Sequence, residues 1–302
     1  MSPTENACTS PAERTDTFPI MIRSVEPRLE IVLGEAGPLP DVYGVTDLPK
    51  TEEETAAIAE VVEALNWFRR FVCDLPPVRF APEMVHVLTP EEYRTKVVPE
   101  RFQARTWLGH VYLWRGWPPP VFQAILANIM VQASACLRLD LNGPAAAQGE
   151  KGRRSWLRRS GLVTFDPGQK DARPHFHGLS QGAAEYIAMC LRQRLARQSR
   201  LLDEAGRKTV AGFMTSPPLA YFTERLIMTA SGTSVRGSVG TAAGLFLDYF
   251  HGTDVFLGKL EGRLPGATEI LRHGGATPVE LSSTADKLGF GDTAAFIRQF
   301  CR

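Results

Sequence analysis

The stretch from Pro118 to Leu139, PPPVFQAILANIMVQASACLRL, constrains the fold more than any other part of the sequence. Its apolar residues recur every three to four positions, which is the spacing of one face of an α-helix. They are Phe122, Ile125, Leu126, Ile129, Met130, Ala133, Cys136 and Leu137. The opening prolines cannot continue an earlier helix and suit the first turn of a new one. The pattern therefore predicts one buried helix over residues 118–139.

Residues 116–137 carry no charge and are long enough to span a bilayer. The three prolines at their start and the amides and serine along them favour a helix in a protein core instead. Residues 1–18 are polar and lack the apolar segment of a secretory signal. We therefore expect a cytoplasmic protein without a membrane partner.

Length, charge and cysteine content limit the number of domains and the kinds of protein that this chain could form. A chain of 302 residues is long enough for one large domain or two ordinary ones. A net charge of +1 does not indicate a generally basic polyanion binder. The five cysteines are odd in number and form no CxxC pair. This pattern is typical of a reducing compartment and does not indicate a disulfide framework.

Other segments predict further helices and strands. Residues 1–20 are polar without apolar periodicity, which predicts disorder. Thr51 and Glu54 form a capping box for a helix that ends before Pro76, and Ser180 is expected to cap another helix over residues 181–204. Residues 140–160 are expected to form a loop. The predicted strands are 29–33, 84–88 and 108–114, and the predicted tail helices are 219–230, 241–251, 254–261 and 280–300.

Two polar pairs lie on the central helices. Asn128 and Gln132 are four residues apart, as are Gln181 and Glu185 in the segment GLSQGAAEY, so each pair shares a helix face. The order of strand, helix with such a pair, and GLSQGAAEY resembles the gluzincin zinc metallopeptidases, which carry HExxH and then a segment like GLNEGxxEY. The resemblance covers roughly residues 78–200. SWLRRSGL at 155–162 is similar to the strand that precedes the second motif in bacterial zincin-like families.

The departures from that family are informative. The two ligand histidines correspond to Asn128 and Gln132, the catalytic glutamate to Ile129 and the third ligand to Gln181, whereas Glu185 persists. Zinc is held by imidazole, thiolate or carboxylate groups, and neutral amides are poor substitutes. An isoleucine cannot accept a proton as a general base. We therefore expect no catalytic residue, no bound metal and no cofactor at these positions.

The resemblance implies an α+β fold in which a small mixed sheet packs on two central helices, followed by a helical tail. It divides the chain into a disordered segment 1–20, a zincin-like domain 21–210 and a helical region 211–302 packed on it. The edge strand of the sheet is expected at Leu108–Trp114, beside the first central helix.

The function implied is that of a catalytically inactive zincin-like protein that binds a peptide or protein segment. Asn128, Gln132 and Gln181 are expected to converge on one point and to bond to one another and to Glu185. His110, Tyr112 and His177 are expected to line the surrounding groove.

A metal-dependent hydrolase is one alternative. His175 and His177 in PHFHG are two residues apart, so both lie on one side of an extended segment and could present a metal ion. No second pair with ligand spacing accompanies them.

A DNA-binding regulator is another alternative. Residues 151–208 hold 13 Lys and Arg against 5 Asp and Glu, which is a pattern of phosphate-binding surfaces. The segment LGFGDTAAFIRQF at 288–300 resembles the second helix-turn-helix of AraC-type transcription regulators, in which the last helix enters the major groove. The candidate nucleic-acid contacts are Arg153, Arg154, Arg158, Arg159 and Arg298.

Overall fold

A computed structural model gives the mixed α+β architecture, which is mostly helical. It describes residues 22–25, 28–31, 43–78, 80, 82–97, 104–107, 109–140, 156–165, 174–232 and 235–301. The prediction of disorder for residues 1–20 therefore concerns a segment outside the described residues.

A three-stranded mixed sheet lies beside the central helices. Its strands are β3 (Val85–Leu88), β4 (Ala104–Trp107) and β5 (His110–Trp114), in the order β3-β5-β4. β3 runs parallel to β5, and β4 runs antiparallel to it. The prediction that residues 108–114 form the edge strand is wrong, because β5 is the central strand and β4 is at the edge. The side chains of β3 and of most of β5 are buried, as continuous apolar runs in a sheet interior should be.

A second sheet of five antiparallel strands was not predicted. It joins β1 (Ile22–Val25), β2 (Arg28–Ile31), β6 (Leu137–Asp140), β7 (Trp156–Ser160) and β8 (Val163–Thr164) in the order β1-β2-β6-β7-β8. The strand predicted at 29–33 corresponds to β2. β7 lies within the strand-like segment 155–162 and also overlaps the end of the loop predicted over residues 140–160.

The remaining elements are helices. A capping box between Thr51 and Glu54 begins the first of them, as predicted. The helices are α1 (Glu52–Val72), α2 (Pro90–Glu92), α3 (Pro119–Ala133), α4 (His177–Gln198), α5 (Glu204–Gly212), α6 (Pro217–Ser231), α7 (Val235–His251), α8 (Val255–Arg263), α9 (Ala267–Arg272), α10 (Pro278–Lys287) and α11 (Gly291–Arg298).

Several predicted helix boundaries are wrong. Helix α4 ends at Gln198 and not near residue 204, and the single helix predicted over residues 280–300 is the pair α10 and α11. Two further differences, at the end of α3 and the start of α4, have clear physical reasons. Helix α3 ends at Ala133 and not at Leu139, because residues 137–140 pair with β2 and β7. Helix α4 begins at His177 with Phe176 as its N-cap, so Ser180 lies inside the first turn. The Ser180 hydroxyl instead accepts a hydrogen bond from the Leu162 N–H at 3.3 Å.

One continuous apolar core joins these helices. Helix α3 is buried on almost every side and packs against α1, α4, α5 and β4. Helix α6 packs on α4, and the tail helices α7 to α11 add buried side chains to the same core. Side chains from both sides of the predicted domain boundary at residue 210 therefore share one core. No helix among the described residues combines the length and the apolar character needed to cross a membrane.

Candidate functional site

The two polar pairs line one cleft between α3, α4 and the α5–α6 connection. Its volume is about 500 Å³, and Asn128, Ile129, Gln132, Gln181 and Glu185 all line it. The remaining walls are Ala104, Ile125, Phe213, Met214, Thr215, Ser216 and Leu219. The structure thus brings together the five positions that the motif comparison singled out.

The amides of α3 form a chain of hydrogen bonds that leads to Glu185. Gln132 Nε2 donates to Asn128 Oδ1 at 2.7 Å, across one turn of the helix. Asn128 Nδ2 donates to Glu185 Oε2 at 2.8 Å and contacts Thr215 Oγ1 at 3.1 Å. Because the carboxylate can only accept, the nitrogen of Asn128 must face it, and this fixes the orientation of both amides.

Glu185 is the centre of this network. Arg192 Nη2 donates to Glu185 Oε1 at 2.7 Å, and the Thr215 N–H donates to the same oxygen at 3.2 Å. The Thr215 hydroxyl donates to Oε2. Glu185 is only 2% exposed and Arg192 is fully buried, so the carboxylate and the guanidinium compensate each other away from water. The floor of the cleft therefore carries no net charge.

Arg192 has fewer hydrogen-bond partners than Glu185, so the buried guanidinium relies more on this ion pair than the carboxylate does. Within the described part of the chain, Nε and Nη1 of Arg192 are buried without a hydrogen-bond partner. The guanidinium carbon also lies 5.9 Å from the centroid of the Phe213 ring, which is one wall of the cleft. Glu185, in contrast, accepts from three residues.

Two glycines of the GLSQG segment have packing roles. A Cβ on Gly182 would overlap the Thr223 hydroxyl of α6, and a Cβ on Gly178 would overlap the carbonyl oxygen of Gly275. Glycine therefore lets α6 and the α9–α10 connection approach the first turns of α4. This approach brings the segment before α6, which includes Thr215, to the cleft.

The first turn of α4 is held by backbone contacts with the tail. Phe176 has a φ of 57°, a left-handed conformation that is unusual for a bulky residue. Its N–H donates to the carbonyl of Arg272 at 2.9 Å, and the Gly178 N–H donates to Gly274 at 3.1 Å. These bonds satisfy donors that a side-chain cap would otherwise bind.

The antiparallel edge strand β4 lies next to the cleft. Ala104, its first residue, lines the cavity, and the strand packs on α3. The corrected edge strand thus runs beside the helix that carries Asn128 and Gln132. Leu108, the first residue of the strand that was predicted instead, lies outside the described residues.

The predicted groove residues His110, Tyr112 and His177 do not line this cleft. His110 and Tyr112 are buried in β5 on another side of the sheet, where His110 Nδ1 lies 2.8 Å from His86 Nε2. The Tyr112 ring stacks on His86 with the centroids 4.6 Å apart. The prediction failed because it took their strand for the edge of the sheet.

His175 and His177 lie in different surroundings. The rings of His175 and His273 are 5.8 Å apart, and His177 lies in the first turn of α4, where burial lowers its pKa. In the described ranges no group of three or more His, Cys, Asp or Glu side chains is arranged to hold a metal ion.

Two of the predicted nucleic-acid contacts, Arg159 and Arg298, have described side chains, and both are bonded within the protein. Arg153 and Arg154 lie outside the described residues, and only the backbone of Arg158 is described, in β7. Arg159 is buried and donates from Nε to the Gly161 carbonyl at 2.8 Å and from Nη2 to Thr253 at 3.1 Å, so it is not available to a polyanion. Arg298 is exposed but forms a salt bridge of 2.7 Å with Asp286.

The AraC-like segment forms a hairpin of α10 and α11 packed on α6. Buried side chains anchor it, among them Leu288, Phe290 and Ile297, and the Phe296 ring lies 4.5 Å from that of Tyr221. Most of the apolar residues that suggested a helix-turn-helix therefore have roles in packing, whereas Phe300 is 41% exposed.

Two members of the site, Arg192 and Thr215, were not predicted as part of it. Arg192 follows Glu185 by seven residues, so helical periodicity alone would have placed both on one face of α4. Thr215 gives no such signal, because it lies in an irregular connection and meets Glu185 only through the packing of α6. Comparison of the chain with models of protein families, with curated proteins and with solved structures finds no match.

Proposed function

We propose that this chain is a catalytically inactive zincin-like protein whose cleft binds an extended peptide segment of a partner protein. One observation carries the proposal. Asn128, Gln132, Gln181 and Glu185, from two helices, line a single cleft beside an antiparallel edge strand, and three of them are hydrogen-bonded to one another.

The chemistry of these side chains supports binding over catalysis. A general base must be free to accept a proton from substrate or water. Ile129 has no such group, and both oxygens of Glu185 already accept hydrogen bonds, one of them from the fully buried Arg192. Neutral amides occupy the positions where zinc would require imidazole or carboxylate.

The mode of binding follows from the edge strand. An extended peptide can pair with a free sheet edge through its backbone, while alternate side chains enter pockets beside the strand. β4 is one of the two edge strands of its sheet in the described part of the chain, and its first residue lines the cleft. The walls are largely apolar and the floor is electrically neutral, so the cleft suits an uncharged apolar side chain.

Restoring the missing ligands tests the zincin-like geometry. The triple variant Asn128→His, Gln132→His, Gln181→Glu should bind one equivalent of Zn²⁺ at least about a thousandfold more tightly than the unmodified chain, since structural zinc sites with such ligands are strong. Competition with a chromophoric chelator measures the affinity, and circular dichroism checks the fold.

A matched control carries the same histidines with the glutamate at Gln193, an exposed position of α4 outside the cleft. Tight binding by the triple variant alone supports the geometry. Equal zinc affinity of the two folded variants would contradict it.

Peptide binding has its own test. A peptide library selected on the unmodified chain should yield segments with a central apolar residue. The selected peptides should not bind the Gln132→Trp variant, because the new side chain fills the mouth of the cleft. They should still bind the Gln193→Trp variant. Selected peptides that bind both variants equally would place the binding surface elsewhere.

A further inference from the structure

A second cavity, the α1 groove, follows the outer face of helix α1. It has a volume of about 960 Å³ and shares no lining residue with the cleft described above. Its α1 residues recur every three or four positions from Thr55 to Phe71. At 1.5 Å per residue this stripe is about 24 Å long, the length of a helix of four to five turns.

The floor of the α1 groove exposes large apolar side chains. Trp67 is 38% exposed and Phe71 is 65% exposed, and their ring centroids are 5.7 Å apart. Val62 continues the apolar stripe towards the start of the helix, and Leu75 and Phe80 add to the opposite wall. Exposed aromatic residues grouped in a groove are typical of the central contacts of protein interfaces.

The charge along one side of this groove is positive. Arg70 and Arg194 line it. Arg197 follows Arg194 by three residues in the exposed last turn of α4, and Arg200 lies just beyond the end of that helix. The guanidinium of Arg194 lies 3.9 Å from the centroid of the Trp67 ring, and that of Arg70 lies 5.4 Å from that of Phe71. The aromatic rings therefore hold two of the guanidinium groups at the apolar floor.

These arginines retain their hydrogen-bonding capacity. Among the described residues, none of the four guanidinium groups forms a salt bridge or a hydrogen bond. The carboxylates of Glu63 and Asp74 also line the α1 groove. Burial lowers the pKa of Arg194 and the charge of Glu63 opposes that shift, but no salt bridge between described residues joins the two side chains. Each guanidinium offers five N–H donors, which match carboxylates in pairs.

We propose that the α1 groove binds an amphipathic helix of a partner protein, with apolar side chains over Trp67 and Phe71 and acidic residues facing the arginines. A helix lying in a groove presents anchors at positions i, i+3, i+4 and i+7, which is the spacing of the α1 stripe itself. The lining holds three cationic side chains, Lys50, Arg70 and Arg194, against the two carboxylates of Glu63 and Asp74, and this positive excess selects an acidic flank.

Two labelled peptides of 20 residues test this proposal. They share one apolar face of Leu and Phe at helical spacing and differ only in flanks of Glu or Lys. Fluorescence anisotropy with the full chain at 50 and 300 mM NaCl measures the affinities. The acidic peptide should bind at least about tenfold more tightly than the basic one, and the ratio should shrink at high salt because screening weakens exposed charge pairs.

Variants locate the peptide. Trp67→Ala should weaken binding of the acidic peptide at least about tenfold, and Arg70→Glu with Arg194→Glu should reverse the preference between the peptides. Val279→Ala, which removes an exposed apolar side chain outside the α1 groove, is the matched control and should change neither. Thermal unfolding monitors the fold of each variant.

Three outcomes overturn the proposal. Equal affinity for the acidic and basic peptides indicates unselective apolar adhesion, and unchanged binding by folded Trp67→Ala places the site elsewhere. A dimer in sedimentation velocity that Trp67→Ala dissociates identifies a second copy of the chain as the occupant. Because Gln132→Trp blocks only the cleft of the proposed function, failure of one site is distinguishable from failure of the other.

Discussion

Asp74 closes helix α1 in a backbone conformation that favours glycine. Its φ is 53°, and the following N–H of Leu75 donates to the Arg69 carbonyl at 2.9 Å. This is the usual geometry of a helix end with glycine at the left-handed position. The carboxylate also lies near the negative end of the helix dipole. Asp74 therefore destabilises this helix end in two ways, through its left-handed backbone conformation and through its negative charge.

We predict that Asp74→Gly raises the free energy of unfolding by about 0.5–1 kcal/mol, because glycine has no Cβ to clash in this conformation. Urea titration measures the change. Asp74→Asn removes only the charge and separates the two effects, and Asp74→Ala should lower stability. Equal stability of the alanine and glycine variants would show that the backbone is not strained.

The buried pair of Glu185 and Arg192 should respond asymmetrically to substitution. Glu185→Gln leaves the fully buried Arg192 charged and without its carboxylate, which should lower the free energy of unfolding by about 3–5 kcal/mol. Arg192→Met should cost less, because Glu185 keeps its donors Asn128 and Thr215.

A double-mutant cycle in urea measures the coupling between them. The variant Glu185→Gln with Arg192→Met should recover part of the stability lost by Glu185→Gln alone. Strictly additive losses would mean that the pair does not act as a unit.

The members of the site that spacing could predict are those on helices. Each of the two polar pairs shares a helix face because its members are four residues apart: Asn128 with Gln132, and Gln181 with Glu185. The order of the motifs along the chain predicted that the two faces lie together. Thr215 could not be predicted, because nothing local brings the α5–α6 connection to Glu185. Arg159 was assigned to a basic surface because a run of basic residues gives no indication of which one turns inward.

At the scale of the element, the start of α4 depends on close backbone packing. A Cβ at Gly178 would overlap the backbone carbonyl of Gly275, which cannot move aside like a side chain. We predict that Gly178→Ala lowers the free energy of unfolding by about 1–3 kcal/mol through overpacking. Thermal or urea unfolding measures this loss.

Gly258, in helix α8, is the matched control. It is exposed, and a Cβ there would meet no atom within 4 Å. Gly258→Ala should therefore raise stability by about 0.5–1 kcal/mol, as alanine does in a helix interior. A stabilising effect of Gly178→Ala would contradict the packing role assigned to that glycine.

Element types were easier to predict than their ends. The apolar period that begins at Phe122 continues through Cys136 and Leu137, so the sequence predicts a longer helix than the one that forms. Leu137 instead begins β6, whose partners β2 and β7 are distant in sequence. The short edge strand β4 was missed because ARTW carries no clear alternation of apolar and polar residues.

At the scale of the whole molecule, the α+β class follows from the mixture of helical and strand patterns. The five-stranded sheet does not, because it pairs residues 28–31 with residues 137–140, and local patterns do not specify such partners. The division at residue 210 was suggested by the extent of the motif resemblance. Side chains from both sides of that position belong to one apolar core.

The tail should therefore be required for folding of the preceding region. Phe222, Leu226 and Ile227 of α6 are at most 2% exposed and pack in the core that α4 shares. Burying each such side chain contributes about 1.5–3 kcal/mol, so their loss alone is comparable to the stability of a typical domain, about 5–15 kcal/mol. We predict that a chain ending at Gly212 lacks fixed tertiary structure, which near-ultraviolet circular dichroism and dye binding to exposed apolar surface would detect.

Calorimetry provides the complementary measurement on the full chain. A single core predicts one heat-absorption peak with equal calorimetric and van't Hoff enthalpies, because neither half can unfold without exposing apolar surface of the other. Two independent domains would instead give two transitions, and the chain ending at Gly212 would reproduce the first of them. A shared core also means that α6, the tail helix that positions Thr215 beside Glu185, cannot separate from α4 without unfolding both.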